Sequence, residues 1–280
     1  MVVTRDLQSG KLYLVGTPIG NLEDITLRAI RILTEVDLIA AEDTRRTGKL
    51  LQHLQITTPQ ISYHEHSPTS RIEELMTRLE QGKDIALVTD AGMPSISDPG
   101  VKLVQAAIAL SIDVVPIPGG TAAISALAAS GMPTDKFIFE GFLPLKEKER
   151  QARLELLRSE TRTMVLYEAP HRIVKTLTDL AALVGEEREI VLARELTKIH
   201  EEFWRGNLKH AIALYTKRQP KGEYTLVLKG AADNGLIMSE EELKLELKQL
   251  LDSGMTRSQA SRQLAKSSTL SRREIYQLDL

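Results

Sequence analysis

Short, continuously apolar runs alternate with amphipathic stretches over most of this chain. Residues 12–15 (LYLV) form the first run, and residues 24–36 follow with Ile25, Leu27, Ile30 and Leu33 near a helical period. Further strands are predicted at 38–41, 61–63, 85–88 and 112–115, and helices at 44–54, 70–82 and 100–110. Ser70 and Glu73 have capping-box spacing and set the start of the third helix. Strands without an alternating polar face are buried on both sides, the habit of parallel sheets between helical layers. The first lobe, residues 1–117, is therefore expected to be α/β.

A turn at Pro118-Gly119-Gly120 opens a second α/β unit, expected over 118–233. It begins with an alanine-rich helix at 121–130, whose small side chains allow close packing. Strands at 137–142, 163–167, 190–193 and 224–228 alternate with helices at 146–160, 171–184 and 209–216. The charge mixture of residues 146–162 is that of a solvated helix. Residues 237–280 differ again. Ser239 with Glu242, Thr256 with Gln259, and Ser271 with Glu274 are three successive capping boxes, which predict three short helices. Between residues 253 and 278 stand Arg257, Arg262, Lys266, Arg272 and Arg273, with Glu274 as the single acid. A basic helix-turn-helix-like module is expected there.

Composition narrows the classes. The chain has 280 residues, 36 Lys+Arg against 38 Asp+Glu, and no cysteine. The missing cysteine excludes disulfides, thiolate zinc sites, iron–sulfur clusters and cysteine nucleophiles, and it favours the cytoplasm. No basic-then-apolar leader and no apolar run of roughly 20 residues is present, so neither signal peptide nor membrane span is expected. The near-neutral total argues against coating nucleic acid over the whole surface, while leaving room for a local basic patch.

Three glycine-containing turns follow predicted strands: Gly16-Thr17-Pro18-Ile19-Gly20, Asp90-Ala91-Gly92-Met93-Pro94 and Pro116-Ile117-Pro118-Gly119-Gly120. Ligands of open parallel sheets bind beyond the carboxyl ends of the strands, and glycine lets backbone approach them closely. GxxxxGK[ST], GxGxxG and GxSxG are all absent, which argues against P-loop, dinucleotide and serine-hydrolase chemistry. Prolines in every turn remove N–H donors, so the loops make a poor diphosphate cradle. An adenosine-type ligand held by apolar contacts and a few backbone bonds fits them better.

Five segments together carry a resemblance: VGTPIGN (15–21), AEDTRRT (41–47), TDAGMPSISDPG (89–100), PIPGGTAAISA (116–126) and YEAPHR (167–172). In this combination and order they resemble the RsmI-type small-subunit ribosomal RNA (cytidine-2′-O)-methyltransferases of the tetrapyrrole-methylase (class III) superfamily. The resemblance runs from about residue 11 to the end. It implies a bilobal α/β fold with a small C-terminal helical module, S-adenosylmethionine in the cleft between the lobes, and a homodimer. By position it assigns Gly92, Met93, Pro94 and Ile96 to the cofactor, with Thr121 and Ala122. Tyr167, Glu168 and Ala169 are to form part of the far wall, and Gly222-Glu223 is a further candidate. Met93 stands where porphyrin-modifying members carry the aspartate of a Gly-Asp-Pro turn, a departure that fits the RNA branch.

A ribose hydroxyl is a poor nucleophile until its proton leaves, so a general base helps. Glu42, Asp43 and His64 are the candidates near strand ends, with Glu65 beside them. Asp43 either serves there or caps the following helix. Arg45 and Arg46 are expected on RNA phosphate, as are Arg257, Arg262, Lys266, Arg272 and Arg273, unless the C-terminal module only supports the dimer or the catalytic lobe. His64-Glu65-His66 offers two histidines on one strand face without a third ligand, so no metal is expected. Two other functions remain open: a cobalamin- or siroheme-pathway methylase, and a non-enzymatic DNA-binding regulator that senses a small ligand.

Overall fold

The computed structural model describes residues 9–231, 240–265, 268 and 270–279, and the chain divides into two compact units between Lys229 and Gly230. In the first, nine elements build one sheet and its cover: β1 (Leu12–Val15), α1 (Leu27–Glu35), β2 (Leu38–Ala41), α2 (Thr44–His53), β3 (Gln60–Ser62), α3 (Thr69–Glu80), β4 (Ile85–Val88), α4 (Val101–Ala109) and β5 (Val114–Ile117). The strand order is β3-β2-β4-β1-β5, and every pairing is parallel. Side chains alternate across the sheet. Leu12, Leu38, Ala40, Ile85 and Leu87 pack with Leu75, Leu79 and Leu103 of α3 and α4. Val15, Ile39, Ala41, Ala86 and Val88 pack with Ala29, Ile32, Leu33 and Leu51 of α1 and α2. The all-apolar strands are thus explained by helices on both faces.

Four local expectations are corrected. Residues 22–24 form a separate 3-10 turn, and α1 begins only after Thr26, whose side chain accepts the Ala29 N–H at 3.1 Å. The Ser70–Glu73 box does not form: α3 begins at Thr69 behind Pro68, so Ser70 already lies inside the first turn. β5 sits two residues later than the apolar run suggested, because Val114 rather than Ile112 pairs with Leu12. Arg150, expected on a solvated helix, is buried, with Nε 2.8 Å from Asp179 and Nη2 donating to Thr176 Oγ1 at 2.8 Å.

The same unit continues through α5 (Ala122–Ser130), β6 (Phe137–Phe142), α6 (Glu147–Leu157), β7 (Thr163–Glu168), α7 (Ile173–Val184), β8 (Glu189–Arg194), β9 (Glu202–Asn207), α8 (Leu208–Lys217) and β10 (Tyr224–Leu228). The second sheet runs β6-β7-β10-β8-β9, with only β6 and β7 parallel. One face carries α6, α7 and α8. The other carries α5, whose Ala123, Ala126 and Leu127 lie on Val165, Val191 and Val227. β9 has no counterpart in the sequence reading. It is an edge strand whose residues are exposed or half-buried, so it lacks the apolar run that marked the others.

The second unit contains α9 (Glu240–Asp252), α10 (Arg257–Leu264) and α11 (Arg272–Gln277) around Leu243, Leu247, Ala260, Leu264 and Ile275. The boxes at Thr256/Gln259 and Ser271/Glu274 both form, whereas Ser239 lies outside the described residues.

Candidate active site

Strand order brings the glycine turns together. β4, β1 and β5 are neighbours running the same way, so their three following turns leave the sheet side by side. Thr17 and Gly92 exchange both backbone hydrogen bonds, at 2.9 and 3.1 Å. A Cβ on Gly16 would stand 2.7 Å from the Gly119 Cα and N and from Met93 Sδ, closer than a real Cβ sits. Gly92 itself takes φ +80°, which glycine adopts without steric cost.

The second sheet closes the space over these turns. Tyr167 accepts the Ala123 N–H on its phenol oxygen at 3.1 Å and packs edge-on to Phe139, ring centres 5.0 Å apart. The loop after β8 crosses Gly20, where a Cβ would lie 2.9 Å from the Leu196 carbonyl. Its Lys198 bonds Glu195 and Glu223, both at 2.8 Å. Between the two sheets lies a cavity of about 170 Å³. One wall is made of Ile19, Ala91, Gly92, Met93, Ile96, Ser97 and Asp98. Facing it are Thr121, Ala122, Phe142, Tyr167, Ala193, Leu196, Lys198, Glu223, Tyr224 and Thr225. Ser95, Ser97, Glu195 and Thr197, around this cavity, all have positive φ, the clustering of backbone strain common at functional sites.

Of the residues expected at the cofactor, Gly92, Met93, Ile96, Thr121, Ala122 and Tyr167 line the cavity, and Pro94 and Ala169 do not. Glu168 is corrected. Successive strand residues point to opposite faces, so with Tyr167 in the cavity Glu168 turns into the core. There its carboxylate accepts from Thr176 Oγ1 at 2.5 Å and from the Ala169 N–H at 2.8 Å. The residue missed is Asp98, inside the TDAGMPSISDPG segment. Burial, reinforced by the nearby Glu42 and Asp90 charges, pushes its carboxyl up to about 7.

The candidate bases separate. Glu42 Oε2 accepts the Asp90 N–H at 3.2 Å beneath the β4 turn. Asp43 caps α2, and its carboxylate binds Arg45 through Nε at 3.0 Å and Nη2 at 2.6 Å. The Arg45 bonds hold its pKa far below the usual carboxylate range, so the helix-capping alternative is the one that forms. His64 is corrected: it follows the edge strand β3 and does not line the cavity.

Arg46 pairs with Asp90 at 3.0 Å. In the helical unit, Arg257 is corrected: Nε donates to the Tyr276 carbonyl at 2.9 Å and Nη2 to that of Leu278. This guanidinium joins α10 to the end of α11. Arg272 bonds Ser258 Oγ at 2.7 Å, while Arg262 and Arg273 are exposed. Lys266 lies outside the described residues. Among the described residues no acidic or histidine cluster has metal-site composition, and no helix is long and apolar enough to cross a membrane.

Comparison with known proteins places this architecture. The family profile of the tetrapyrrole (corrin/porphyrin) methylases matches residues 11–212. A Synechocystis protein named ribosomal RNA small subunit methyltransferase I is 58% identical over 272 residues, covering 97% of this chain and 98% of its own length. A Thermotoga maritima protein of the same name is 51% identical over 221 residues, 79% of this chain and 99% of its own. Among solved structures, diphthine synthase aligns with TM-score 0.63 at 14% identity, covering 79% of this chain and 90% of that one. Uroporphyrin-III C-methyltransferase from Thermus thermophilus, complexed with S-adenyl homocysteine, aligns at 0.56 and 19% identity over 79% and 97%. Such distant structures share the fold, and the near relatives decide the branch. The chain belongs to the tetrapyrrole (corrin/porphyrin) methylase family, among its ribosomal RNA small subunit methyltransferases I.

Proposed function

We propose that this chain methylates the 2′-hydroxyl of a cytidine in small-subunit (16S) ribosomal RNA, with S-adenosylmethionine as donor. The observation that carries the reading is the cavity between the sheets, whose apolar walls end at the half-buried carboxyl of Asp98. The bound donor supplies an already activated electrophilic methyl group on a sulfonium.

The chain's own groups fit such a molecule. Ile19, Met93, Ile96 and Leu196 offer apolar surface for a purine ring. Asp98, whose carboxyl is raised by burial and then by its acidic neighbours, ionises more readily beside a cation. The close-set glycine turns fix the geometry, so alignment costs little reorganisation when the acceptor arrives. Glu42 is the proton acceptor of this proposal: Asp43 is held by Arg45, His64 follows the edge strand, and Glu42 accepts the N–H of Asp90 at the start of the turn whose next residues line the cavity.

RNA docking falls to the basic face of α2 and, in the helical unit, to Arg262 and Arg273, both exposed. Exposed Val101, Ile108 and Leu110 on and beside α4 support a homodimer.

The test is methyl transfer from labelled S-adenosylmethionine to assembled small subunits, naked ribosomal RNA and a precorrin. Label on a ribose oxygen of one cytidine supports the proposal. Label on the precorrin, or ligand binding without transfer to any of the three, refutes it.

A further inference from the structure

The strand that closes one side of the cofactor cavity carries a built irregularity. Phe139 of β6 stands opposite Val165 of β7 and Gly141 opposite Leu166, so Glu140 is one residue too many. Side chains alternate along a strand. Without the extra residue, Phe142 would stand opposite Glu168 and share its face, which turns into the core. With it, Phe142 pairs with Tyr167 and both line the cavity. Bulges beside active sites re-aim side chains in this way. The irregularity is held: Arg153 Nε lies 2.5 Å from the Glu140 carboxylate, and Gly141 takes φ +61°. On the other side of Phe142, Arg172 Nη2 donates to the Leu143 carbonyl at 2.7 Å.

The ring so aimed is left half in water. Phe142 leans on Tyr167, ring centres 5.6 Å apart, and is still 51% exposed. Ile96 and Ser97 of the β4 turn line the same cavity and are exposed as well. A Cβ on Gly141 would stand 2.7 Å from Ser97 Oγ, so the two segments meet. Together they form a mouth of the cavity. Asp98, the carboxyl that meets the donor's cation in the reading above, is the residue after Ser97 and lines the same space. Apolar surface left in water is unfavourable, so a rigidly placed, half-bare aromatic ring needs a reason. RNA-binding proteins use such rings to receive unstacked bases.

We infer that the Phe142 ring receives the base of the acceptor nucleotide, face against face, and so holds its ribose at the mouth of the donor cavity. Phe142 lines the donor's own cavity, so a base stacked on it keeps its 2′-hydroxyl in the space that the methyl group faces. Every base has a flat apolar face, so this contact positions the nucleotide without choosing cytosine. The inference rests on the RNA-methylation reading above and adds the residue that seats the acceptor.

The experiment is a double-mutant cycle on the full chain. Small-subunit RNA carries at the methylated position either cytidine or a 1-deoxyribose nucleotide, which keeps the 2′-hydroxyl and has no base. Phe142→Leu keeps apolar bulk and loses the aromatic face. It should lower kcat/KM on the cytidine RNA about fivefold to 150-fold, mainly through KM. On the base-free RNA, already a poorer substrate for wild type, the same substitution should change kcat/KM by less than about twofold. Phe142→Tyr keeps the face and should match wild type within about twofold on both RNAs. Unchanged kinetics of Phe142→Leu on cytidine RNA overturns the inference. So does an equal loss on both RNAs, the result expected if the ring serves only the donor or the fold, and so does a Phe142→Tyr as impaired as Phe142→Leu. Failure of wild type to methylate the cytidine RNA overturns the underlying reading instead, whereas an error about Phe142 leaves wild-type transfer intact.

Discussion

Replacing Asp98 by Asn removes the one acid that lines the cavity from the β4 turn while keeping its shape. The carboxyl is raised from 3.8 to about 7 by burial and by its like-charged neighbours Glu42 and Asp90. Because the folded form holds its proton more tightly than the unfolded chain, this group favours folding below about pH 4. That contribution is lost as pH rises through about 7. The full rise corresponds to an upper bound of about 4 kcal/mol, and partial exposure screens it to about 1–2 kcal/mol. Asp98→Asn should therefore stabilise the ligand-free protein at pH 8 relative to wild type, with little difference at pH 5. Ligand binding should move the other way. A cationic donor needs the ionised carboxylate, so wild-type affinity for S-adenosylmethionine should climb about tenfold between pH 6 and 7.5 and release a proton on binding. Loss of a charged hydrogen bond costs about 1.5–3 kcal/mol, so Asp98→Asn should bind about 10- to 150-fold more weakly, with the pH dependence gone. Calorimetry in two buffers of different ionisation enthalpy reads both the affinity and the proton. A flat wild-type profile, or wild-type affinity in Asp98→Asn, would refute the placement of the positive charge beside this residue.

The remaining predictions concern the base, the turns and the helical unit. Glu42→Gln should lower kcat about 10²- to 10⁴-fold with cofactor affinity retained. Asp43→Ala should keep full transfer but lose about 1 kcal/mol of stability with its helix cap, read by urea unfolding. Gly16→Ala, whose Cβ meets Gly119 backbone at 2.7 Å, should cost about 1–3 kcal/mol and weaken S-adenosylhomocysteine binding by separating the turns. Ending the chain after Lys229 should leave a folded unit with unchanged S-adenosylhomocysteine affinity, whose RNA binding is weaker and has a shallower salt slope. An unchanged salt slope would remove Arg262 and Arg273 from the RNA contacts.

Much of the fold was legible because its determinants are local. Apolar runs and helical periods are set within a few residues, and so are the caps at Thr256 and Ser271. One error was legible too: Tyr167, Glu168 and Ala169 are consecutive at a strand end, and a strand cannot aim three successive side chains at one wall. By contrast, β9 is hydrogen-bonded to β8 at the edge of the sheet, and its place is set by pairing rather than by apolar content. The site depended on contacts that sequence spacing does not express.

By itself the sequence determined the order of the elements other than β9, the three glycine turns, the absence of thiol chemistry and the basic tail beside a neutral body. Tertiary structure decided which turns meet, because the order β4-β1-β5 sets three distant glycine segments side by side. It also decided the roles of the acids. Asp43 and Asp98 are chemically the same carboxyl group, yet Arg45 two residues away keeps one ionised. Burial beside two other acids holds the other near neutrality. Charge state is a property of surroundings, and surroundings exist only once the chain has folded.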